Sequence, residues 1–113
     1  MEDNKLIAEF MGCVENPNNG VWNTECPFEG KGHHLETMKY HSSWDWLMPV
    51  VEKIRNCKCY DKGDVFNYHF IIYNNRAEYY PGGYSKKPSK IFLGYGKEGT
   101  YKAVVEFINQ YNK

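Results

Sequence analysis

The run Val65-Phe66-Asn67-Tyr68-His69-Phe70-Ile71-Ile72-Tyr73 has a hydrophobic period of two. Phe66, Tyr68, Phe70 and Ile72 fall on one side of an extended chain, and Val65, Asn67, His69, Ile71 and Tyr73 on the other, because successive side chains of a strand point to opposite faces. Aromatic and β-branched residues suit such a pleated surface. The Asn74-Asn75 pair that follows tolerates the positive backbone dihedrals of a tight hairpin turn, and Arg76 to Tyr80 returns as the partner strand. A two-residue turn sets the register. It puts Phe70 opposite Tyr79 on the core face, with His69 opposite Tyr80 and Tyr73 opposite Arg76 on the other face. Pro81-Gly82-Gly83 ends the ladder. Residues 65–80 are thus predicted to form an antiparallel hairpin with one face that needs a cover.

Helical patterns on both sides supply the cover. Upstream, Ser42-Ser43-Trp44-Asp45 resembles a capping box, and Trp44, Leu47, Met48, Val51 and Ile54 then share one helical stripe. Pro49 lies within that stripe and predicts a kink, or a helix proper that begins near it. Nearer the N-terminus, Asn4 is placed to cap a helix carrying Leu6, Ile7, Phe10 and Met11, which Gly12 ends. Downstream, Ile91-Phe92-Leu93 reads as a short strand, and Thr100 opens a last helix with Tyr101, Val104, Val105, Ile108 and Tyr111 on its stripe. From Cys13 to His41 the Asn, Pro and Gly content is turn chemistry, with short extended pieces around Val21 to Thr24. The order of helix, loop, helix, strands and helix, with no internal repeat, gives an α+β domain. With 113 residues, the chain forms one domain, 1–113, in which an antiparallel sheet packs with three helices.

Composition narrows the function classes. The formal net charge is zero, so bulk electrostatics supplies no drive toward nucleic acid. Met1-Glu2-Asp3-Asn4-Lys5 lacks the basic start and apolar run of an export signal, and no apolar stretch is long enough to span a membrane, so the expectation is a cytoplasmic protein. In that compartment Cys13, Cys26, Cys57 and Cys59 are expected to be free thiols rather than disulfides. Aromatic residues make up 17% of the chain, ten of them Tyr, which exceeds what a core this size needs for filling. Part of that excess belongs on the surface, where Tyr and Trp give large contact area at small entropic cost.

Cys57-Lys58-Cys59 with Cys26 and the His33-His34 pair contains the ligand types of a tetrahedral zinc site, but its spacing departs from that of zinc knuckles, and no metal or other cofactor is expected. No Ser or Cys is marked as a nucleophile, and Asp45, Glu52, Glu98 and Glu106 sit where solvation or helix-dipole complementarity accounts for them. Two basic loops are better candidates for anion binding: Gly30-Lys31-Gly32-His33-His34, with Lys31, His33 and His34, and a second with Lys86, Lys87 and Lys90. Together with His69, Tyr73, Arg76 and Tyr80 on the outer face of the hairpin, they supply stacking, positive charge and donors for a nucleotide-like ligand.

Three segments also carry a resemblance. Asn4 to Gly12, Tyr40 to Ile54 and Ala103 to Ile108 resemble the small phage proteins grouped as the phage ABA sandwich domain. The resemblance covers both ends and the middle of the chain, and it implies an α/β/α sandwich and a phage accessory role inside an infected bacterial cell. It assigns no catalytic residues. The expectation by analogy is a non-enzymatic anti-defence protein that sequesters a nucleotide-derived immune signal, such as an ADP-ribose derivative or a cyclic dinucleotide. A chain this short builds a deep pocket more readily between copies, so a homo-oligomer is expected. Two alternatives are an inhibitor that blocks a host or phage enzyme through an aromatic patch, and a nucleotide hydrolase using His33, His34 or His69.

Overall fold

A computed structural model describes residues 2–23, 32–34, 38–85 and 88–112, apart from the side chains of Glu2, Asn23 and His33. Its elements run α1 (Glu2–Phe10), β1 (Trp22–Asn23), β2 (Gly32–His33), α2 (Trp44–Arg55), β3 (Lys58–Asp61), β4 (Asp64–Ile72), β5 (Arg76–Pro81), β6 (Lys90–Leu93) and α3 (Lys97–Tyr111). The fold is α+β: three helices and a four-stranded antiparallel sheet of order β3-β4-β5-β6, with a separate two-stranded ribbon of β1 and β2.

The hairpin forms in the predicted register. Phe70 pairs with Tyr79 and His69 with Tyr80, and the Tyr73 amide donates to the Arg76 carbonyl at 2.8 Å across the Asn74-Asn75 turn. β6 adds to β5 with Ala77 opposite Phe92 and Arg76 opposite Leu93, as the Ile91 to Leu93 pattern suggests. β3 has no counterpart among the expected elements. It pairs with β4 through the turn Lys62-Gly63, whose φ values of 52° and 85° are both positive, as a two-residue primed hairpin turn requires. Only Cys59 and Tyr60 in it are apolar, too few for a period to register.

The helices cover the face that carries Phe70, Tyr79 and Phe92. α3 packs on β5 and β6, α2 on β4, and α1 on α3. Phe107 of α3 sits at the centre, its ring 4.9 Å from Tyr68, 5.3 Å from Tyr79 and 6.3 Å from Phe10, in edge-to-face contacts. The Arg55 guanidinium locks the end of α2 to the sheet, with Nε and Nη2 both donating to the Phe70 carbonyl at 3.1 and 2.9 Å. Lys53 ties α2 to α1 by donating to the Phe10 carbonyl while lying over the Phe10 ring.

The helix starts differ from the expected ones, for local reasons. α2 runs unbroken from Trp44 through Pro49 instead of beginning near the proline, and its N-cap Ser43 makes no side-chain capping bond. α1 begins two residues before Asn4, which lies within the helix and is buried, its Nδ2 donating to the Met38 carbonyl at 3.3 Å. α3 begins at Lys97 rather than Thr100, because the backbone of Gly96 takes the N-cap position and Thr100 Oγ1 bonds back to the Gly96 carbonyl at 3.1 Å. Gly12, with φ of 85°, follows α1 as expected. Among the described residues no helix is long and apolar enough to cross a membrane.

Candidate functional site

The outer face of the hairpin holds four of the expected ligand-binding residues, but as two separate pairs. His69 stacks on Tyr80 with ring centroids 4.8 Å apart. The Arg76 guanidinium lies 3.9 Å above the Tyr73 ring and is already paired, its Nε 2.7 Å from Glu78 Oε2. Glu78 holds the guanidinium more firmly protonated than usual. The pairs are four residues apart along β4, roughly 14 Å at the rise of a strand. They therefore do not converge on one point. His34 is exposed and lies by Gly20, where a Cβ would be 4.0 Å from its Nδ1. Lys31, Lys86, Lys87, Cys26 and the side chain of His33 lie outside the described residues. Among the described residues no three His, Cys, Asp or Glu side chains cluster as metal ligands.

A concave site lies elsewhere. The starts of α2 and α3 meet at a cleft of about 560 Å³ lined by His41, Ser42, Trp44, Tyr95, Gly96, Lys97, Glu98, Tyr101 and Lys102. It is built by the run Gly94-Tyr95-Gly96-Lys97-Glu98-Gly99, which follows β6 directly and opens α3. The three glycines have different duties. Gly94 and Gly96 have φ of 150° and 54°, backbone conformations that favour glycine. Gly99 permits close approach: a Cβ there would lie 2.6 Å from the Gly94 carbonyl oxygen and 3.3 Å from that of Phe92, so the first turn of α3 rests directly on the backbone of the strand that leads into it. Amides of Gly94 and Gly96 donate to the carbonyls of Asn75 and Asn74 at 3.0 and 3.3 Å, which fastens this turn to the hairpin turn.

This is the spacing G-x-G-x-x-G between a strand and a helix, the arrangement that lets a backbone approach a phosphate and aims helix amides at it. Here it joins an antiparallel edge strand to a terminal helix, outside any parallel crossover unit. The local part of the motif is present without the surrounding dinucleotide-binding fold. Its spacing is readable in the sequence, and it is the signal that the outer-face reading passes over.

Aromatic rings and cations complete the cleft. Lys97 Nζ lies 5.8 Å from the Trp44 ring, and His41 meets Tyr101 edge-on at 6.2 Å. The Gly96 backbone approaches the Trp44 ring closely enough that a Cβ would stand 3.9 Å from it. Lys102 is held in place by the Leu93 carbonyl at 3.3 Å and Glu98 Oε1 at 3.0 Å. Tyr101 is kept protonated to about pH 12 by burial and by the nearby charge of Asp3. Its ring therefore adds no negative charge to the cleft under ordinary conditions. Neither α2 nor α3 has a side-chain cap, so no side chain of the N-cap residues competes for these helix starts.

No known protein family, curated protein or solved structure matches this chain.

Proposed function

We propose that this protein binds, without transforming it, a small nucleotide-derived ligand in the cleft between the starts of α2 and α3. One observation carries the reading: a strand, a G-x-G-x-x-G turn and a helix start open into a cleft walled by Trp44 and Tyr101. A phosphate suits the positive end of α3 together with Lys97; the amides of Gly94, Gly96 and Glu98 are already bonded to the carbonyls of Asn75, Asn74 and Tyr95. A base suits the face of Trp44, since base stacking on an aromatic side chain contributes about 1–3 kcal/mol and tolerates different bases. His69, Tyr73, Arg76 and Tyr80 of the outer face do not line this cleft. The role as a phage anti-defence protein that sequesters an immune signal in the infected cell rests on the sequence resemblance, and the cleft suits its ligand chemistry.

The test is a thermal-shift series with ADP-ribose, cyclic ADP-ribose, cyclic dinucleotides and unphosphorylated adenosine, followed by mass spectrometry of the recovered ligand. At about 100 times its dissociation constant a bound nucleotide adds roughly 2.7 kcal/mol of stability. A shift with phosphorylated ligands, recovered intact and lost in Trp44→Ala, is expected. Recovery of a cleaved ligand would move the protein to the hydrolases. No shift with any nucleotide would end the reading and leave the aromatic-patch inhibitor.

A further inference from the structure

We infer that the outer face of the sheet is the interface of a two-fold symmetric dimer, in which Tyr60 and Val65 of one copy pack on Ile91 and Leu93 of the other. The three helices leave this face to solvent, and the side chains on it are unusually apolar. Tyr60 is 75% exposed, Val65 53%, Ile91 56% and Leu93 71%. A strand face normally left to water carries polar residues in alternation with the core positions. Here Val65, Ile71 and Tyr73 stand beside Asn67 and His69 on the outer side of the run from Val65 to Tyr73, and β6 adds Ile91 and Leu93 to that side.

The charges of the face favour an identical copy over a charged partner. Arg76 is paired with Glu78 and packed on Tyr73, and Lys58 Nζ donates to Asn67 Oδ1 at 2.6 Å. Apart from Lys58, whose bond to the neutral Asn67 amide leaves its charge in place, the face commits its cation to its own acid, so the surface offers little to a polyanion. Its layout is self-complementary. Tyr60 and Val65 are paired across β3 and β4 at one end, while Ile91 and Leu93 lie opposite Glu78 and Arg76 at the other. The His69 and Tyr80 stack stands between the two ends.

A two-fold axis through that stack, perpendicular to the length of the strip, lays each apolar end on the opposite end of the second copy. This is the isologous arrangement that closes at two. From the spacing and rise of strands, the strip is roughly 27 Å long and 10–14 Å wide. Its outline is thus roughly 350 Å², less than half of the ~800 Å² per partner of a standard interface, so the dimer is a modest association that depends on concentration. Sheets pack face to face in this manner in β-sandwiches, about 10 Å apart.

Sedimentation velocity over about 1 to 500 µM, the range in which modest interfaces dissociate, tests the inference. The chain is expected to sediment as a dimer of the 13.3 kDa protomer at the upper concentrations. Tyr60→Glu and Leu93→Lys alter exposed side chains, and each is expected to raise the dissociation constant about 30-fold, the loss of an interface hot spot. Combining them in one chain sets Glu against Lys across the axis and is expected to restore most of the association. A protomer mass at every concentration would overturn the inference and leave the face to a different protein. Dimers that survive both single substitutions, or a double variant no better than the singles, would overturn the arrangement. Thermal melts of each variant confirm that it is folded.

Discussion

The outer sheet face and the cleft at the starts of α2 and α3 contain nearly the same kinds of residue, yet they suit different partners. Each has Tyr, His and a cation next to an aromatic ring. On the sheet the cation is already bound: Arg76 is shared by Glu78 and Tyr73. The ladder also sets His69 and Arg76 about four residues apart along the strand direction, so they do not meet at a common point. In the cleft two helix starts and a glycine turn approach each other, which brings Lys97 and the rings of Trp44 and Tyr101 to the lining of one volume. Recognition of a small ligand requires that convergence more than it requires any residue type.

The strongest way to break the comparison is through the turn that creates the cleft. In Gly99→Val the new side chain meets backbone atoms, the Gly94 carbonyl oxygen at 2.6 Å and its carbon at 3.2 Å, with no flexible side chain to yield. Overpacking of this kind costs about 1–3 kcal/mol, so a calorimetric melting temperature roughly 5–10 °C lower is expected, with loss of nucleotide binding. A variant that melts like the parent would mean that α3 does not rest on β6 as described.

Next in size is the effect of truncating one side chain on each surface in turn. Trp44→Ala should weaken nucleotide binding by the stacking contribution of about 1–3 kcal/mol, roughly 5- to 150-fold by isothermal titration. Arg76→Ala should leave that affinity where it was. Equal losses in the two variants would erase the distinction between the surfaces.

Much of the sheet is legible in the sequence because its determinants are local. The period-two run from Val65 and the Asn74-Asn75 turn specify register as well as existence, down to His69 opposite Tyr80. β3 escapes because its four residues show no period, and its identity comes from pairing with β4. The helix starts are shifted because backbone and tertiary partners displace the side-chain caps: Gly96 at α3, and the Met38 carbonyl that takes Asn4 into the fold. The cleft is half legible. The spacing of Gly94, Gly96 and Gly99 is in the sequence, but its meeting with Trp44, half the chain away, is a product of packing α2 and α3 together.

The smallest effect concerns two tyrosines, one in the core beneath the sheet and one in the cleft. Tyr79 on β5 and Tyr101 in the cleft both have their phenol pKa pushed up to about 12, first by burial and then by Glu106 and Asp3 respectively. The folded chain therefore holds these protons more tightly than the unfolded chain, where a phenol titrates near 10. Stability is undiminished below that value and is expected to fall as pH rises from about 10 to 12, which urea midpoints at either end of the window would register. The two side chains separate by substitution. The Tyr79 hydroxyl is buried with no hydrogen-bond partner among the described residues, so Tyr79→Phe removes an unsatisfied polar group and should raise stability by about 1 kcal/mol while flattening the alkaline decline. Tyr101→Phe should flatten it as well, and because the ring remains, ligand stacking in the cleft should persist. A destabilised Tyr79→Phe would show that this hydroxyl has a partner in solution, and that the core beneath the sheet is less dry than its aromatic packing implies.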